Sequence, residues 1–155
     1  MRIGLISDTH GKLRREVFDH FDGVDRILHA GDVGPAALLV ELEAIAPVTA
    51  VYGNTDRFDV RERAGELAEL ELAGLQVAVI HGHQLGSPDP AGLRAALPDA
   101  DIIVYGHTHK PLVRQEDGAL VINPGSAGAP RFGLKPSVAI LSLEPRPAVE
   151  LIDLG

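Results

Sequence analysis

Short apolar runs alternate with amphipathic stretches over residues 2–52, and this order restricts the fold more than any other feature of the sequence. Residues 2–7, 25–29 and 48–52 are predicted strands, because each is a short run rich in apolar residues that ends at polar residues or glycine. Residues 13–21 and 36–45 are predicted helices, because their apolar residues recur at helical spacing. A β-α-β-α-β order predicts parallel strands joined by right-handed crossovers.

The second half of the chain contains mainly strand patterns. A helix is predicted at 89–97, and residues 57–69 are predicted to form a loop or a short helix. The predicted strands in this half are 69–73, 76–81, 101–105, 112–115, 119–123, 137–143 and 148–153. The chain thus begins as alternating α/β and ends as antiparallel β, which favours a two-sheet sandwich with outer helices over a simple doubly wound sheet. We expect a single domain over residues 1–155.

The composition excludes several kinds of site. The sequence has no cysteine, which excludes disulfides, thiolate zinc sites and a cysteine nucleophile. The formal net charge of -8 argues against strong nucleic-acid binding, but not against a small phosphate ester, because bound divalent cations reverse the local field. No apolar run approaches the ~18 residues of a membrane span, and no signal-peptide pattern precedes the first strand, so we expect a cytoplasmic protein that does not bind membranes.

Polar residues gather where the predicted strands end. The five clusters are Asp8-Thr9-His10, Gly31-Asp32, Gly53-Asn54, His81-Gly82-His83 and Gly106-His107-Thr108-His109. In open α/β sheets, ligands bind beyond the carboxyl ends of the strands, so these clusters can converge on one pocket. Two carboxylates, one amide and several imidazoles form a ligand set for divalent metal ions.

Each cluster also has a plainer interpretation when taken alone. Asp8 and Asp32 could cap the following helices, and Asn54 after a glycine could be a turn residue. The histidines of the clusters could be core, surface or loop residues. The joint occurrence of all five clusters at strand ends favours a shared site. By contrast, His20 lies in a charged predicted helix and is interpreted as solvated, and His29 is interpreted as a structural residue or as one that supports the ligands. Neither is given a ligand role.

These ordered motifs resemble those of the calcineurin-like metallophosphoesterases. The short length and the segment INPGS at 122–126 are similar to the small single-domain bacterial and archaeal phosphodiesterases, which are related in fold to the retromer scaffold subunit Vps29. The resemblance covers residue 3 to about 143. It implies an α/β fold, specifically a four-layer α/β/β/α sandwich of two mixed sheets, the metallo-dependent phosphatase fold.

The resemblance further implies a site for two divalent metal ions. The implied ligands are Asp8, His10 and His109 for the first ion, Asn54, His81 and His107 for the second, and Asp32 as the bridge between them. A hydroxide bridging the two ions would attack phosphorus in line with the leaving oxygen. Mn²⁺ is the expected metal, with Fe, Zn²⁺, Ni²⁺ and Co²⁺ as alternatives for such an imidazole-rich set.

The sequence departs from the wider family at one position that affects the proton donor. Thr55 follows the motif asparagine, where many members of the family have a histidine. His83 or Asp56 could instead protonate the leaving group, or water could do so, and His83 could equally be structural. Arg57 and Arg131 are candidates for substrate binding, with an ordinary surface charge as the alternative for each.

Three function classes stay open at this point. The first is a metal-dependent phosphoesterase that hydrolyses phosphodiesters, with a phosphomonoesterase as its closest variant. The second is a non-catalytic Vps29-like scaffold or binding module, and the third is a metal-binding regulatory domain. None of the seven implied ligand positions carries an inert residue, which favours the hydrolase. Its partner would be a small phosphate ester, and a homo-oligomer is compatible with the sequence.

Overall fold

The computed structural model describes the whole chain, residues 1–155, and contains ten strands and four short α-helices. The strands are β1 (Arg2–Ile6), β2 (Arg26–His29), β3 (Val48–Ala50), β4 (Leu67–Leu72), β5 (Leu75–Ile80), β6 (Ile102–Val104), β7 (Leu112–Glu116), β8 (Ala119–Asn123), β9 (Ser137–Ser142) and β10 (Ala148–Asp153). The helices are α1 (Arg15–His20), α2 (Ala37–Glu43), α3 (Phe58–Arg61) and α4 (Pro90–Ala96). None of these helices has the length and apolar character that crossing a membrane requires.

The strands form two five-stranded mixed sheets. The first has the order β10-β9-β1-β2-β3, and the second has the order β4-β5-β6-β8-β7. In the first sheet, β1, β2 and β3 are parallel, whereas β9 runs antiparallel to β1. In the second sheet, β5, β6 and β8 are parallel, and β4 and β7 are antiparallel edge strands.

Apolar side chains on both faces of the sheets produce four layers. Ile3 and Leu5 of β1 belong to one buried cluster with Val77 and Val79 of β5, which forms the core between the sheets. A second cluster packs α1, α2 and α3 against the outer face of the first sheet, and a third packs α4 against the outer face of the second sheet. Strands covered on both faces read as nearly continuous apolar runs, which explains why the sequence pattern located them.

The predicted four-layer sandwich is confirmed, with a difference at its end. The final strands are not purely antiparallel, because β8 pairs in parallel with β6 as well as antiparallel with β7. All five residues of β8 are buried, whereas β7 carries Arg114 and Glu116 and is partly exposed. The apolar strand therefore takes the inner position, and the charged strand takes the edge, where it also blocks edge-to-edge pairing.

The parallel strands of both sheets have their carboxyl ends at the same end of the sandwich. The segments that follow β1, β2 and β3 come from the first sheet, and those that follow β5 and β6 come from the second. A single turn of 3₁₀-helix at His83–Leu85, which the pattern did not predict, follows β5. The five polar clusters of the sequence lie in these segments.

Candidate metal centre

The two carboxylates of the clusters lie among imidazole nitrogens from three different segments. Oδ1 of Asp8 lies 3.9 Å from Nε2 of His10, 3.9 Å from Nε2 of His81 and 3.4 Å from Nε2 of His109. Oδ2 of Asp32 lies 3.6 Å from Nε2 of His10 and 3.3 Å from Nε2 of His81. Both carboxylates therefore lie between His10 and His81.

The hydrogen bonding of Asp8 is complete on one oxygen and absent on the other. Oδ2 accepts hydrogen bonds from Ser7 Oγ at 2.7 Å and from the His107 amide at 3.1 Å. Oδ1 is buried and has no hydrogen-bond partner. The other buried side-chain atoms without a partner are Nδ1 of His83, His107 and His109, so all four lie in this cluster. Such groups are rare in folded proteins, so their concentration in one place marks this cluster as a candidate ligand site.

His81 presents a lone pair toward oxygen atoms that also carry only lone pairs. Its Nδ1 lies 2.7 Å from the carbonyl oxygen of Ala30, which can only accept, so Nδ1 carries a hydrogen and donates. In neutral His81, Nε2 is then an acceptor, yet it lies 3.1 Å from Oδ1 of Asn54 and 3.3 Å from Oδ2 of Asp32. A second proton on the ring or a divalent cation between these atoms would relieve the conflict. Ring orientation by a backbone carbonyl is the usual arrangement for a metal-binding histidine.

The pKa shifts of His81 and Asp32 also indicate that the cluster attracts positive charge. Burial acts to lower the pKa of His81, but the hydrogen bond with Asp32 and the charges of Asp8 and Asp32 outweigh it and raise that pKa. Burial acts to raise the pKa of Asp32, but the hydrogen bond and charge of His81 and the Thr55 amide lower it far below its ordinary value. The anionic cluster therefore attracts either a proton or a metal ion.

The backbone is unusual at the candidate ligands. Eight residues other than glycine have a positive φ, and five of them are Asp8, His10, Asp32, His107 and His109. Asp and His tolerate this region better than most residues, and such conformations concentrate at functional sites.

Close approach of the loops also requires glycine beside the ligands. A Cβ on Gly53 would overlap the Asp32 carboxylate, and a Cβ on Gly106 would overlap Ser7 and Asp8. These two glycines let the loops of different strands meet.

A buried histidine connects two of the ligand-bearing loops. Nδ1 of His29 accepts a hydrogen bond from the Gly31 amide at 3.1 Å, so Nε2 carries the hydrogen and donates it to Thr9 Oγ1 at 3.0 Å. Thr9 Oγ1 then donates to the carbonyl oxygen of Val33 at 2.7 Å. Burial lowers the pKa of His29 to about 4, so the ring is neutral at neutral pH. These contacts agree with the interpretation of His29 as a residue that is structural or supports the ligands, but the sequence did not indicate Thr9 as its partner.

The remaining candidate ligands lie at the edge of the cluster. The Asn54 side chain reaches His81 at 3.1 Å. The His107 ring is edge-on to the His81 ring, with centroids 5.2 Å apart. His107 does not belong to either of the two groups of closely spaced donor atoms. These groups are Asp8, His10 and His109, and Asp8, Asp32 and His81. Asp8 thus belongs to both groups, whereas the family resemblance implied that it holds the first ion only.

The two candidate proton donors differ in how their polar atoms are used. Both oxygens of Asp56 accept hydrogen bonds from backbone amides, of Gly34 at 3.1 Å and of Gly53 at 2.8 Å, so this carboxylate holds two loops together. The His83 ring lies 5.4 Å from the His81 ring and is only half-buried. Burial, followed by the nearby His81 and His107 rings, lowers the pKa of His83.

The two candidate substrate-binding arginines are exposed and lie on different loops. Arg57 lines a cavity with Gly34, Pro35 and Thr55. Arg131 lies in the loop between β8 and β9, which begins beside the cluster, where the Gly128 amide donates to the carbonyl oxygen of Asp8 at 3.3 Å.

The donors present fit divalent metal ions. Carboxylate oxygens and neutral imidazoles converge within coordination range, one carboxylate oxygen lacks any partner, and His10 keeps 31% of its side chain exposed, which leaves the cluster open to solvent. A calcineurin-like phosphoesterase superfamily domain matches residues 1–146. The chain belongs to this superfamily. The resemblance inferred from the sequence is therefore confirmed.

Curated relatives of this phosphoesterase superfamily cover most of the chain. It is 39% identical over 152 residues to a probable metallophosphoesterase of Methanothermobacter thermautotrophicus, covering 93% of this chain and 87% of the relative. It is 30% identical over 169 residues to a phosphodiesterase of Methanocaldococcus jannaschii, covering 98% and 99% respectively.

Solved structures of the superfamily fold agree with the sandwich. A solved archaeal phosphodiesterase superposes with a TM-score of 0.83 at 30% identity, over 99% of this chain and 100% of the other. Vps29 from Entamoeba histolytica, solved in complex with zinc, superposes with a TM-score of 0.81 at 21% identity, over 100% of each chain, which shows a common fold.

Proposed function

We propose that this chain is a hydrolase that cleaves phosphodiesters with two bound divalent ions, and that Mn²⁺ is its working metal. The observation that carries the proposal is the unpartnered, buried Oδ1 of Asp8, surrounded by the Nε2 atoms of three histidines. A buried anion without a partner costs free energy, and a cation held between this oxygen and the histidine nitrogens would offset that cost. Because the chain belongs to the phosphoesterase superfamily, we infer that the bound ions act on phosphate esters.

The ligand assignment follows the position of each side chain. Asp32 is proposed to bridge the ions, because its Oδ2 lies within 3.6 Å of His10 on one side and 3.3 Å of His81 on the other. The first ion would be held by Asp8, His10 and His109, and the second by Asn54, His81 and His107. Because Asp8 belongs to both groups of closely spaced donors, we propose that its carboxylate would lie close to both ions.

The chain's own residues orient these ligands and leave a path for the substrate. When bound, the ions would supply Lewis acidity toward phosphate oxygens and lower the pKa of water to generate the nucleophile. Ser7 and the His107 amide fix the Asp8 carboxylate, and Ala30 fixes the His81 ring. The partly exposed side of the cluster, at His10, is where a phosphate group can enter.

Protonation of the leaving group is proposed to depend on the ester. Nitrophenolate leaves without a proton donor, whereas an alkoxide needs one. Of the two candidates, His83 is preferred, because its Nδ1 has no partner, while both oxygens of Asp56 already accept amide hydrogens. Replacing His83 by Asn should therefore slow alkyl leaving groups more than nitrophenolate.

Two observations support a diester as the substrate. A relative of 30% identity and the well-superposing archaeal protein are both named phosphodiesterases.

Arg57 and Arg131 are proposed to contact the phosphate or the retained alcohol group, because each lies on a loop that adjoins the cluster.

The test compares bis(p-nitrophenyl) phosphate with p-nitrophenyl phosphate as substrates, together with the metal content of the protein. We expect about two ions per chain after loading with Mn²⁺ and faster turnover of the diester than of the monoester. Asp32→Asn should lose turnover, while Asp19→Asn, an exposed aspartate on α1, serves as the matched control. If only the monoester is turned over, the proposed activity is wrong and the protein is a phosphomonoesterase.

A scaffold role makes the opposite prediction. If the protein binds two ions yet cleaves neither ester, the hydrolase proposal is wrong, and a binding module on this fold becomes the better interpretation. If it binds no ion at all, the proposed metal centre is wrong as well.

A further inference from the structure

The loops that carry the candidate ligands of the first sheet are attached to each other in two different ways. Three backbone hydrogen bonds, all 2.9 Å long, join residues 8–11 after β1 to residues 31–36 after β2. By contrast, no backbone–backbone hydrogen bond joins residues 31–36 to residues 52–57 after β3. The position of Asn54 relative to Asp32 therefore depends on hydrogen bonds that involve side chains.

Two side-chain hydrogen bonds connect the loops after β2 and β3, and one of them is made by Asp56. Its Oδ1 accepts the Gly34 amide at 3.1 Å, while its Oδ2 accepts the Gly53 amide at 2.8 Å. The other bond runs from the Thr55 amide to Oδ1 of Asp32 at 3.0 Å, so it uses a candidate metal ligand. Asp56 instead holds both loops through their main chains.

The surroundings of Asp56 leave its side chain little other use. The residue is 5% exposed and takes part in no ion pair. A buried charge is costly unless hydrogen bonds satisfy it, and here the two loop amides do so. Nε of Arg61 also donates to the Asp56 carbonyl oxygen at 2.9 Å, which fixes the residue from α3. None of these contacts uses a coordinating atom of a candidate ligand, so none requires a bound ion.

We propose that Asp56 is a positioning residue that sets the separation of Asp32 and Asn54 and thereby the affinity for the second ion. The inference rests on the ligand assignment of the proposed function. Asp8 and His10, assigned to the first ion, lie on the loop that backbone hydrogen bonds already join to the Asp32 loop. Loss of the Asp56 carboxylate should therefore weaken the second ion and spare the first.

The test is a calorimetric titration of Asp56→Asn with Mn²⁺. Asparagine keeps the size of the side chain and one acceptor oxygen, but its NH₂ group would face one of the two loop amides, so one bond is lost. We expect the second ion to bind about 10–100-fold more weakly, the range for residues that orient metal ligands, and the first to bind as in the wild type. The step that Asn54→Ala removes identifies the second ion.

Turnover of bis(p-nitrophenyl) phosphate separates positioning from proton donation. If Asp56 positions ligands, the Asp56→Asn variant should need more Mn²⁺, by the same factor as its second Kd rises, and should recover turnover at saturating Mn²⁺. If Asp56 donates a proton instead, the Mn²⁺ dependence should equal that of the wild type, and the inference is overturned.

Two control variants test whether the effect is specific. Asp59→Asn makes the same charge change at an exposed residue that accepts the Ala36 amide at 2.8 Å. Leu93→Val removes a buried methylene group from α4, on the outer face of the second sheet, and lowers stability alone. Both should leave the ratio of the two Mn²⁺ affinities unchanged. If either lowers the second affinity as much as Asp56→Asn does, Asp56 has no special role.

Amide hydrogen exchange of the metal-free wild type tests the inference without any variant. We expect the Gly34 and Gly53 amides to be protected to a degree similar to strand amides. Exchange at the rate of exposed amides until Mn²⁺ is added would mean that the ion, and not Asp56, joins the loops.

The titrations distinguish failure of this inference from failure of the proposed function. If the wild type binds two ions and Asp56→Asn binds the second equally tightly, the positioning role is wrong and the proposed function stands. If the wild type itself binds fewer than two ions, the proposed two-metal function is wrong, and the positioning role is wrong with it.

Discussion

The two sheets contribute different chemistry to the same end of the molecule. Segments that follow strands of the first sheet carry all the candidate oxygen ligands, which are Asp8, Asp32 and Asn54, together with one imidazole. Segments that follow strands of the second sheet carry only imidazoles, those of His81, His107 and His109. Negative charge thus comes from one sheet and most of the neutral nitrogens come from the other.

The segments are also held in different ways. The loops after β1 and β2 are joined by backbone hydrogen bonds, from the Asp8 amide to Gly31 and from the His10 amide to Asp32, both 2.9 Å long. The imidazoles of the second sheet reach the first through contacts such as that of His81 with Ala30. The comparison teaches that backbone hydrogen bonds join the loops after β1 and β2 to each other, and we call these two loops the acidic half of the cluster. Hydrogen bonds that involve side chains, such as that of the His107 amide with Asp8, join this half to the segments of the second sheet, the histidine half.

The largest effect is expected from removing charge on the first sheet. Asp32→Asn keeps an oxygen for the Thr55 amide but removes the anion between His10 and His81, so we expect diesterase turnover to fall by more than about 100-fold, beyond the range of outer-ligand variants. Metal content should fall in parallel. His109→Asn removes one neutral nitrogen and should cost less. If Asp32→Asn retained most of its turnover, the negative charge that the first sheet supplies would not be essential for catalysis.

Metal binding should join the two sheets and stabilise the fold. At a Mn²⁺ concentration 100 times the Kd, ligand linkage predicts a gain of ~2.7 kcal/mol in the free energy of unfolding. For a chain of this size, that gain corresponds to a rise of roughly 5–10 °C in Tm. Calorimetry with Mn²⁺ and with a chelator measures it. An equal rise in the Asp32→Asn variant would place the stabilising ion elsewhere.

Without bound metal, the buried carboxylates of the acidic half should lower the stability of the fold. Asp8→Asn leaves an oxygen for Ser7 and the His107 amide, and its NH₂ group replaces the unpartnered oxygen, where it can donate to nearby Nε2 lone pairs. We expect the metal-free variant to be more stable than the metal-free wild type by about 1–3 kcal/mol, the cost of an unsatisfied buried group. Urea unfolding in chelator measures the difference. A loss of stability would mean that Oδ1 of Asp8 is satisfied in the free protein.

The positions of the inner strands could be predicted from the sequence because both faces of these strands are covered. The runs at 2–7 and 119–123 are apolar on both faces and end at polar residues, so local pattern alone located β1 and β8. The change from apolar to polar residues at the strand ends also located the five clusters, because the polar residues begin where burial ends. The types of the candidate ligands and their positions in the chain could therefore be predicted from local sequence.

Contacts between loops could not be predicted in the same way. The two amide bonds of Asp56, the shared position of Asp8 and the cavity at Arg57 depend on which loops approach each other. No periodicity encodes those approaches, since they are set by sheet order and by left-handed backbone at residues such as Asp8. The pairing of His29 with Thr9 across 20 residues belongs to the same class.

The smallest effect is expected from that pairing, which belongs entirely to the first sheet. Thr9→Val preserves shape but removes the hydroxyl that links His29 to Val33, whereas Thr9→Ser keeps it. We expect Thr9→Val to weaken Mn²⁺ binding about tenfold, at the lower end of the range for residues that orient metal ligands. Thr9→Ser should retain most of the affinity. Calorimetric titration with Mn²⁺ measures both.

The serine variant decides whether the hydroxyl or the packing matters. Thr9 is fully buried, so loss of a methyl group in Thr9→Ser lowers stability without breaking the link. If Mn²⁺ affinity follows stability in both variants, Thr9 acts only through packing. If affinity instead follows the hydroxyl, the neutral His29 and Thr9 set the separation of the Asp8 and Asp32 loops before any ion binds. The acidic half would then be preorganised independently of the histidine half.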